Sequence, residues 1–307
     1  MITRTNLPGS PELPGRLGRI TIKTERARAD LALLLVALIW GSAFVAQRAI
    51  AGEIGVLFFN GARFLIGALV VAPLVRNHRG RLATSEKLGA LLAGILLFGG
   101  AAFQQFGLRY TTAGNAGFVT GLYVVIIPLL LAIGLRRWPR PAIWAASLLA
   151  AAGLFLLSTG GRLALALGDS LEFAGAVFFA VHVILIGFLV KRIQAFQLVA
   201  IQYLVCGLLS LVSGLLLEAN TWTGLAPAWW SIVYTGVFSV GLGYTLQAIG
   251  QRVAPPADAA IILSMEAVFA ALFGWLLLGE MLSAIQLLGG GLMLVAMLLA
   301  QSRTILN

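Results

Sequence analysis

The sequence predicts an all-α polytopic membrane protein with ten transmembrane helices arranged as two inverted five-helix repeats. Three observations carry that expectation. Apolar runs of membrane-spanning length recur with almost no charge inside them, basic residues gather in alternate connections, and polar residues of the first half return in the second at a fixed separation.

Of 307 residues, 60% are hydrophobic and 10% charged, more apolar surface than a soluble core of that size can hide. A soluble helical domain would show apolar stripes backed by charged faces. Here the runs are about 20 residues long, enough to cross roughly 30 Å of hydrocarbon. Lipid offers the backbone no hydrogen-bond partner, so each run must be a helix. The runs lie near 31–50, 54–75, 88–108, 112–135, 141–159, 170–190, 197–217, 229–250, 257–278 and 283–301. Connections as short as Arg109 to Thr111 and Gly279 to Leu282 make consecutive helices antiparallel neighbours and leave no room for a soluble domain.

Residues 1–29 hold Pro8, Pro11, Pro14 and six basic residues, and are expected to form a largely disordered cytosolic arm. No short apolar stretch with a small-residue cleavage site precedes the first run, which is therefore expected to be a retained span. A formal charge of +10 would point to nucleic acid in a soluble domain. Its placement here is a topology signal instead, and no nucleic-acid partner is expected. With the N-terminus inside, the inner segments collect the six residues of the arm, Arg76, Arg79, Arg81 and Lys87, Arg136, Arg137 and Arg140, Lys191 and Arg192, Arg252 and Arg303. The outer segments hold only Arg48, Arg109 and Arg162, and Arg63 alone lies within a span. Both termini are thus expected in the cytosol of a bacterial-type inner membrane.

Gln104, Gly107 and Arg109 recur as Gln247, Gly250 and Arg252 at a separation of 143, which also sets Asn115 on Asp258 and Tyr123 on Glu266. A separation near 139 brings Trp40 onto Phe179. An odd number of spans per half forces the two halves into opposite orientations. The expected units are 30–160 and 168–301.

The segment Leu38-Ile39-Trp40-Gly41-Ser42-Ala43-Phe44, with Arg63 in the second span, resembles the opening of the EamA family of the drug/metabolite transporter superfamily. Ser264-Met265-Glu266-Ala267-Val268-Phe269-Ala270 followed by Leu278-Gly279-Glu280 is similar to the same family's ninth span. The resemblance covers about 30–301. It implies a ten-helix secondary transporter, typically an exporter of amino acids or related metabolites. Ala267 departs from the proline that the family often carries after the glutamate, so the ninth helix is expected to be straighter here.

Alternating access requires a water-reachable cavity near the bilayer midplane, and polar residues at mid-span are the places to look for it. An unpaired ionised Glu266 would cost at least about 2.5–3.5 kcal/mol there, so it is either a proton-coupling or ammonium-binding group or a protonated packing contact. His182 is the one histidine inside a span; it would relay a proton or donate to a carboxylate, or else hold two helices together. Arg63 cannot lose its charge and would attract an anionic group or pair structurally. Trp40, Ser42, Phe44 and Phe179 would suit an apolar or aromatic side chain, with lipid or helix contact as the alternative. Gln104, Gln247, Asn115, Tyr123, Tyr244 and Ser264 supply neutral hydrogen-bonding groups, suited to a zwitterionic or neutral solute if they line one cavity and to interhelical bonding if they do not. Gly117 with Gly121, and Gly289 to Gly291, read as packing features, while Pro128 and Pro255-Pro256 mark bends or helix starts.

Cys206, the single cysteine, sits in an apolar run and excludes an intrachain disulfide and any cysteine-cluster metal site. No phosphate-cradling loop, zinc-protease helix or nucleophile elbow is present, so no enzyme activity, cofactor or metal is expected. The expected substrate is a small organic molecule, with aromatic or large neutral amino acids leading, and the protein is expected to act as a monomer in the bilayer. A multidrug or nucleotide-sugar carrier of the same architecture is the alternative, followed by a membrane enzyme or scaffold.

Overall fold

The structure, a computed structural model, describes residues 16–76, 80–111, 113–161, 167–218, 222–279 and 281–305. Ten helices among them are long and apolar enough to span a membrane: α1 (Thr24–Ala49), α2 (Val56–Val75), α3 (Thr84–Gly107), α4 (Ala116–Gly134), α5 (Pro141–Thr159), α6 (Leu167–Leu189), α7 (Ala195–Leu217), α8 (Leu225–Gly250), α9 (Pro256–Leu277) and α10 (Ala284–Gln301). Among the described residues there is no strand, only an isolated bridge between Ala51 and Ile54. Large apolar side chains stand exposed on the outside, Leu69 at 73% and Leu216 and Leu217 at 77% each, as a lipid-solvated surface requires.

The first helix departs from expectation. Helix continues back to Arg16, so 16–29 are helical where an arm was expected, and 1–15 lie outside the described residues. Charge spacing supplies the reason. Arg26 and Asp30 are one turn apart and pair at 2.8 Å, and Arg26 also reaches Asp258 of α9 at 2.9 Å.

The two five-helix halves are related by inversion, and paired contacts reproduce it in detail. Gly100 of α3 meets the ring of Phe179 on α6 so closely that a Cβ would lie 2.8 Å from it; Gly243 of α8 meets Trp40 of α1 at 2.6 Å. Gly107 faces Glu172, and its counterpart Gly250 faces Leu33. The separations are 143 for α3 to α8 and 139 for α1 to α6 in both pairs of contacts. Gly61 of α2 against Leu211 of α7 is likewise matched by Gly207 against Leu65. α2 therefore packs along α7 across the pseudo-twofold axis, and α5 along α10, where Gly153 and Gly289 touch.

Helix-interface glycines are not all packing features. A Cβ at Gly121 would strike Leu154 at 2.6 Å, whereas one at Gly117 or Gly291 would meet nothing within 4 Å, which corrects the expectation for those two. Sequence spacing puts Gly117 one turn before Gly121 on α4, but no neighbouring helix comes close at that turn.

α4 and α9 are both interrupted. The helix breaks at Leu122 and again at Ser264-Met265, just before Tyr123 and Glu266. Leu122 N–H bonds back only three residues to Val119, and Met265 N–H to Ile262, the same tightening in both repeats. The expectation of a straighter ninth helix does not hold: without a proline, the Ser264 hydroxyl donates to the Ile261 carbonyl and competes with the helical ladder. α8 departs in another way, with a π-helical stretch over Thr235–Tyr244. Its loosened backbone presents the Ser239 carbonyl to the Trp40 indole N–H at 3.1 Å.

Candidate functional site

Where the broken helices meet, the repeat-equivalent residues Tyr123 and Glu266 touch. The Tyr123 hydroxyl donates to Glu266 Oε1 at 3.0 Å, placing the pair on the pseudo-twofold axis, well inside the fourth and ninth spans. Around it lies a narrow chamber lined by side chains of both halves.

Its wall draws on both halves. α1 contributes Trp40, Phe44 and Gln47, and α6 contributes Phe179, His182 and Val183. Gln104 of α3 is answered by Gln247 of α8, and Thr120 and Tyr123 of α4 by Leu263 and Glu266 of α9. Ser239 and Tyr244 of α8 and Arg63 of α2 complete it.

Arg63 is buried among neutral partners. Its Nε donates to Asn60 Oδ1 at 3.0 Å and its Nη1 to Gln47 Oε1 at 2.7 Å, while the guanidinium lies 5.2 Å from the ring centres of Phe59 and Phe64. No ion pair to Arg63 occurs among the described residues; the pairs found join Arg26 to Asp30 and Arg26 and Arg140 to Asp258. The guanidinium thus keeps a full positive charge beside the chamber without a resident counter-ion.

His182 Nε2 lies 2.9 Å from Gln202 Oε1 on α7, and its Nδ1 has no hydrogen-bond partner among the described residues. With the amide oxygen accepting, Nε2 carries the hydrogen and Nδ1 keeps a lone pair free. Tyr244 centres a ring cluster, 4.7 Å from Trp40, 6.0 Å from Phe64 and 6.1 Å edge-on from His182. Ring edges and faces of this kind form an apolar wall with a polar tip.

The chamber gathers Glu266, His182, Trp40, Phe44, Tyr123, Gln104, Tyr244, Gln247 and Phe179 from the expected set, and Arg63 with them. Two expected residues do not line it. Ser42 shares a 2.6 Å hydrogen bond with the Tyr234 hydroxyl between α1 and α8, and buried Ser264 is turned back onto its own helix. The side chain of Asn115 lies outside the described residues, as do Arg162 and Glu280.

Sequence reasoning passed over Gln47, Thr120 and Ser239, which nothing separates from ordinary span residues except a polar atom at mid-helix. It also passed over Glu172. That residue is fully buried, a separation of 94 residues in sequence from Glu266 hiding the fact that both carboxyls serve one polar interior.

Among the described residues, no group of three or more His, Cys, Asp or Glu could hold a metal ion. The arrangement is that of a polar and aromatic chamber walled in part by two discontinuous helices.

Comparison with known proteins bears on this geometry. An uncharacterized transporter of Archaeoglobus fulgidus is 32% identical over 283 residues, covering 91% of this chain and 87% of the relative. The uncharacterized transporter YvbV of Bacillus subtilis is 28% identical over 233 residues, 71% of this chain and 73% of its own. A solved crystal structure superposes with a TM-score of 0.76 at 20% identity, covering 90% of this chain and 97% of the other, which supports the fold alone. The sequence profile of the EamA-like transporter family matches twice, over residues 27–159 and 166–301. The two matches, laid head to tail across ten spans and folded into inverted halves around one chamber, show that the chain belongs to the EamA-like transporter family.

Proposed function

We propose that this membrane transporter carries small zwitterionic metabolites, aromatic or large neutral amino acids first among them, by alternating access through the chamber. The observation that carries the reading is the pairing of unlike charges with rings. Arg63 offers a guanidinium held only by neutral groups, Glu266 offers a carboxyl held by one hydroxyl, and the wall between them is aromatic. A substrate carboxylate docks on Arg63, its ammonium on Glu266 and His182 Nδ1, and its side chain against Trp40, Phe179 and Tyr244. A zwitterion neutralises both walls at once, whereas a lipophilic cation would leave Arg63 uncompensated in low dielectric.

The basic residues gathered on the face of the termini support a cytosolic placement of both ends. Net export from the cytosol across an inner membrane fits that placement. The chain carries no nucleotide-hydrolysing motif, in keeping with a secondary transporter and not an enzyme.

Counterflow of radiolabelled phenylalanine, leucine, glutamate and a lipophilic cation in proteoliposomes tests the reading. Phenylalanine and leucine are expected to exchange, and Arg63→Gln to lower their exchange by about tenfold to a hundredfold, the loss of one buried charge-assisted contact of about 1.5–3 kcal/mol. Exchange of the cation in preference to the amino acids, unchanged by Arg63→Gln, would sink it.

A further inference from the structure

Glu172 lies on α6 between the chamber and the face opposite the termini, five residues from the start of the helix and so about 8 Å below its end. It is wholly buried. Its Oε2 accepts a hydrogen bond from the Thr120 hydroxyl at 2.8 Å, and its Oε1 has no hydrogen-bond partner among the described residues. Thr120 lines the chamber, and its Oγ1 lies 3.5 Å from Nε2 of Gln104, which lines it too. A continuous file of polar groups thus leads from the chamber to a buried carboxyl. Beyond that carboxyl, the Thr111 hydroxyl donates to Asp169 one turn nearer the surface.

The inverted repeat supplies an internal control. The counterpart of Glu172 is Leu33 and that of Thr120 is Leu263, both wholly buried, and the matched contacts Gly107 to Glu172 and Gly250 to Leu33 show that the register is right. The same packing position is therefore filled by leucine in one half and by glutamate in the other. Packing alone does not call for a carboxyl, and a carboxyl at this depth is expensive. The file through Thr120 to a buried carboxyl leads toward one face; toward the other, Leu263 and Leu33 hold the equivalent positions, and Gln247 donates instead to Gln251 at 3.0 Å, an amide that takes up no proton.

We propose that Glu172 is a proton-binding site, loaded from the face opposite the termini, that couples proton movement to the solute cycle. This rests on the chamber reading for what is coupled, but not for the binding of the proton. A proton from water on that face forms an O–H bond at Oε1, leaving a neutral carboxylic acid that keeps the Thr120 hydrogen bond at Oε2. In the alternate state the same O–H bond breaks and the proton passes to water of the chamber, restoring the carboxylate; no electrons change hands. The other ionisable groups facing this position are Asp169 on α6 and Glu266 across the chamber, both acidic. The guanidiniums at this end, Arg48 and Arg109, are directed at the carbonyls of Leu108 and Ile54.

The test is a pH jump applied to proteoliposomes on a solid-supported membrane, first with no solute present. Wild type is expected to give a transient charge movement that Glu172→Gln and Glu172→Leu abolish and that Glu266→Gln retains. With solute, both Glu172 variants are expected to keep counterflow within about twofold of wild type and to lose pH-gradient-driven accumulation by about tenfold. Glu172→Leu installs the residue its counterpart already uses, and Glu172→Gln keeps the shape, so at least one variant remains folded. A charge movement unchanged in both variants, a signal evoked by sodium at constant pH in place of protons, or an equal loss of counterflow and accumulation would overturn the proposal. Absence of amino-acid counterflow in wild type would sink the substrate reading alone, since the solute-free transient still reports on Glu172.

Discussion

Trp40 is held in place from two sides. Its indole N–H reaches the Ser239 carbonyl, and its ring edge rests against the bare Cα of Gly243. Gly243→Ala puts a methyl group 2.6 Å from Nε1, so either the ring turns or α8 shifts, and the Ser239 bond breaks with it. Overpacking of this kind costs about 1–3 kcal/mol. Gly117→Ala is the matched control, with open space around the added carbon and a gain of about 0.5–1 kcal/mol from helix propensity. Thermal unfolding in detergent is expected to fall for Gly243→Ala and to hold or rise for Gly117→Ala, and only the former should depress counterflow. Equal effects would mean that the mirrored approach of glycine to ring does not control the wall.

At the scale of the helix, the interruptions of α4 and α9 decide where backbone can change. Residues at the breaks already use shortened hydrogen bonds, and Ala267 is the second residue of a new helical segment that begins at Glu266. Proline is tolerated in a first turn but costs about 3 kcal/mol or more in a helix interior. Ala267→Pro is therefore expected to leave unfolding temperature and counterflow near wild type, while Ala271→Pro, one turn further into the same segment, lowers both sharply. If Ala267→Pro proves as damaging as Ala271→Pro, the segment does not start where the structure puts it. The break itself was not legible from Ala267, because a proline is one of several ways to interrupt a helix and Ser264 uses another. Spans, in contrast, were legible to within a few residues for nine of ten helices, since hydrocarbon thickness sets their length and water sets their ends. The exception, α1, overruns the membrane on charged residues that pair along the helix, a signal that a hydropathy window discards.

The whole molecule is closed differently at its two ends. On the face of the termini, Asp258 at the start of α9 binds Arg26 of α1 at 2.9 Å and Arg140 at the start of α5 at 3.5 Å, drawing together helices of both repeats. On the opposite face no ion pair occurs among the described residues. There Arg48 donates to the Leu108 carbonyl, and Glu218 at the end of α7 accepts the N–H groups of Leu57 and Phe58 at the start of α2. The separation of 143 that revealed the repeat set Asp258 on Asn115, so the sequence displayed an acid on one side and an amide on the other without telling that Arg26 would lie beside the acid. Contacts between distant segments, like the file from Gln104 to Glu172, escape a reading made span by span. Their effect on the cycle follows from population shift: weakening one latch favours the state in which that end opens. Asp258→Asn removes the charge, keeps the shape and leaves two guanidiniums without their shared partner, and a change of about 1–3 kcal/mol alters the ratio of the two states by roughly 5- to 150-fold. With Cys206→Ser as background and Gln247→Cys as reporter in the chamber wall, a membrane-impermeant thiol reagent is expected to label the Asp258→Asn protein faster from the face of the termini and more slowly from the opposite face, the ratio of the two rates rising by a factor in that range. An equal acceleration from both faces would mean that the network stabilises the fold as a whole and does not act as a latch on one end.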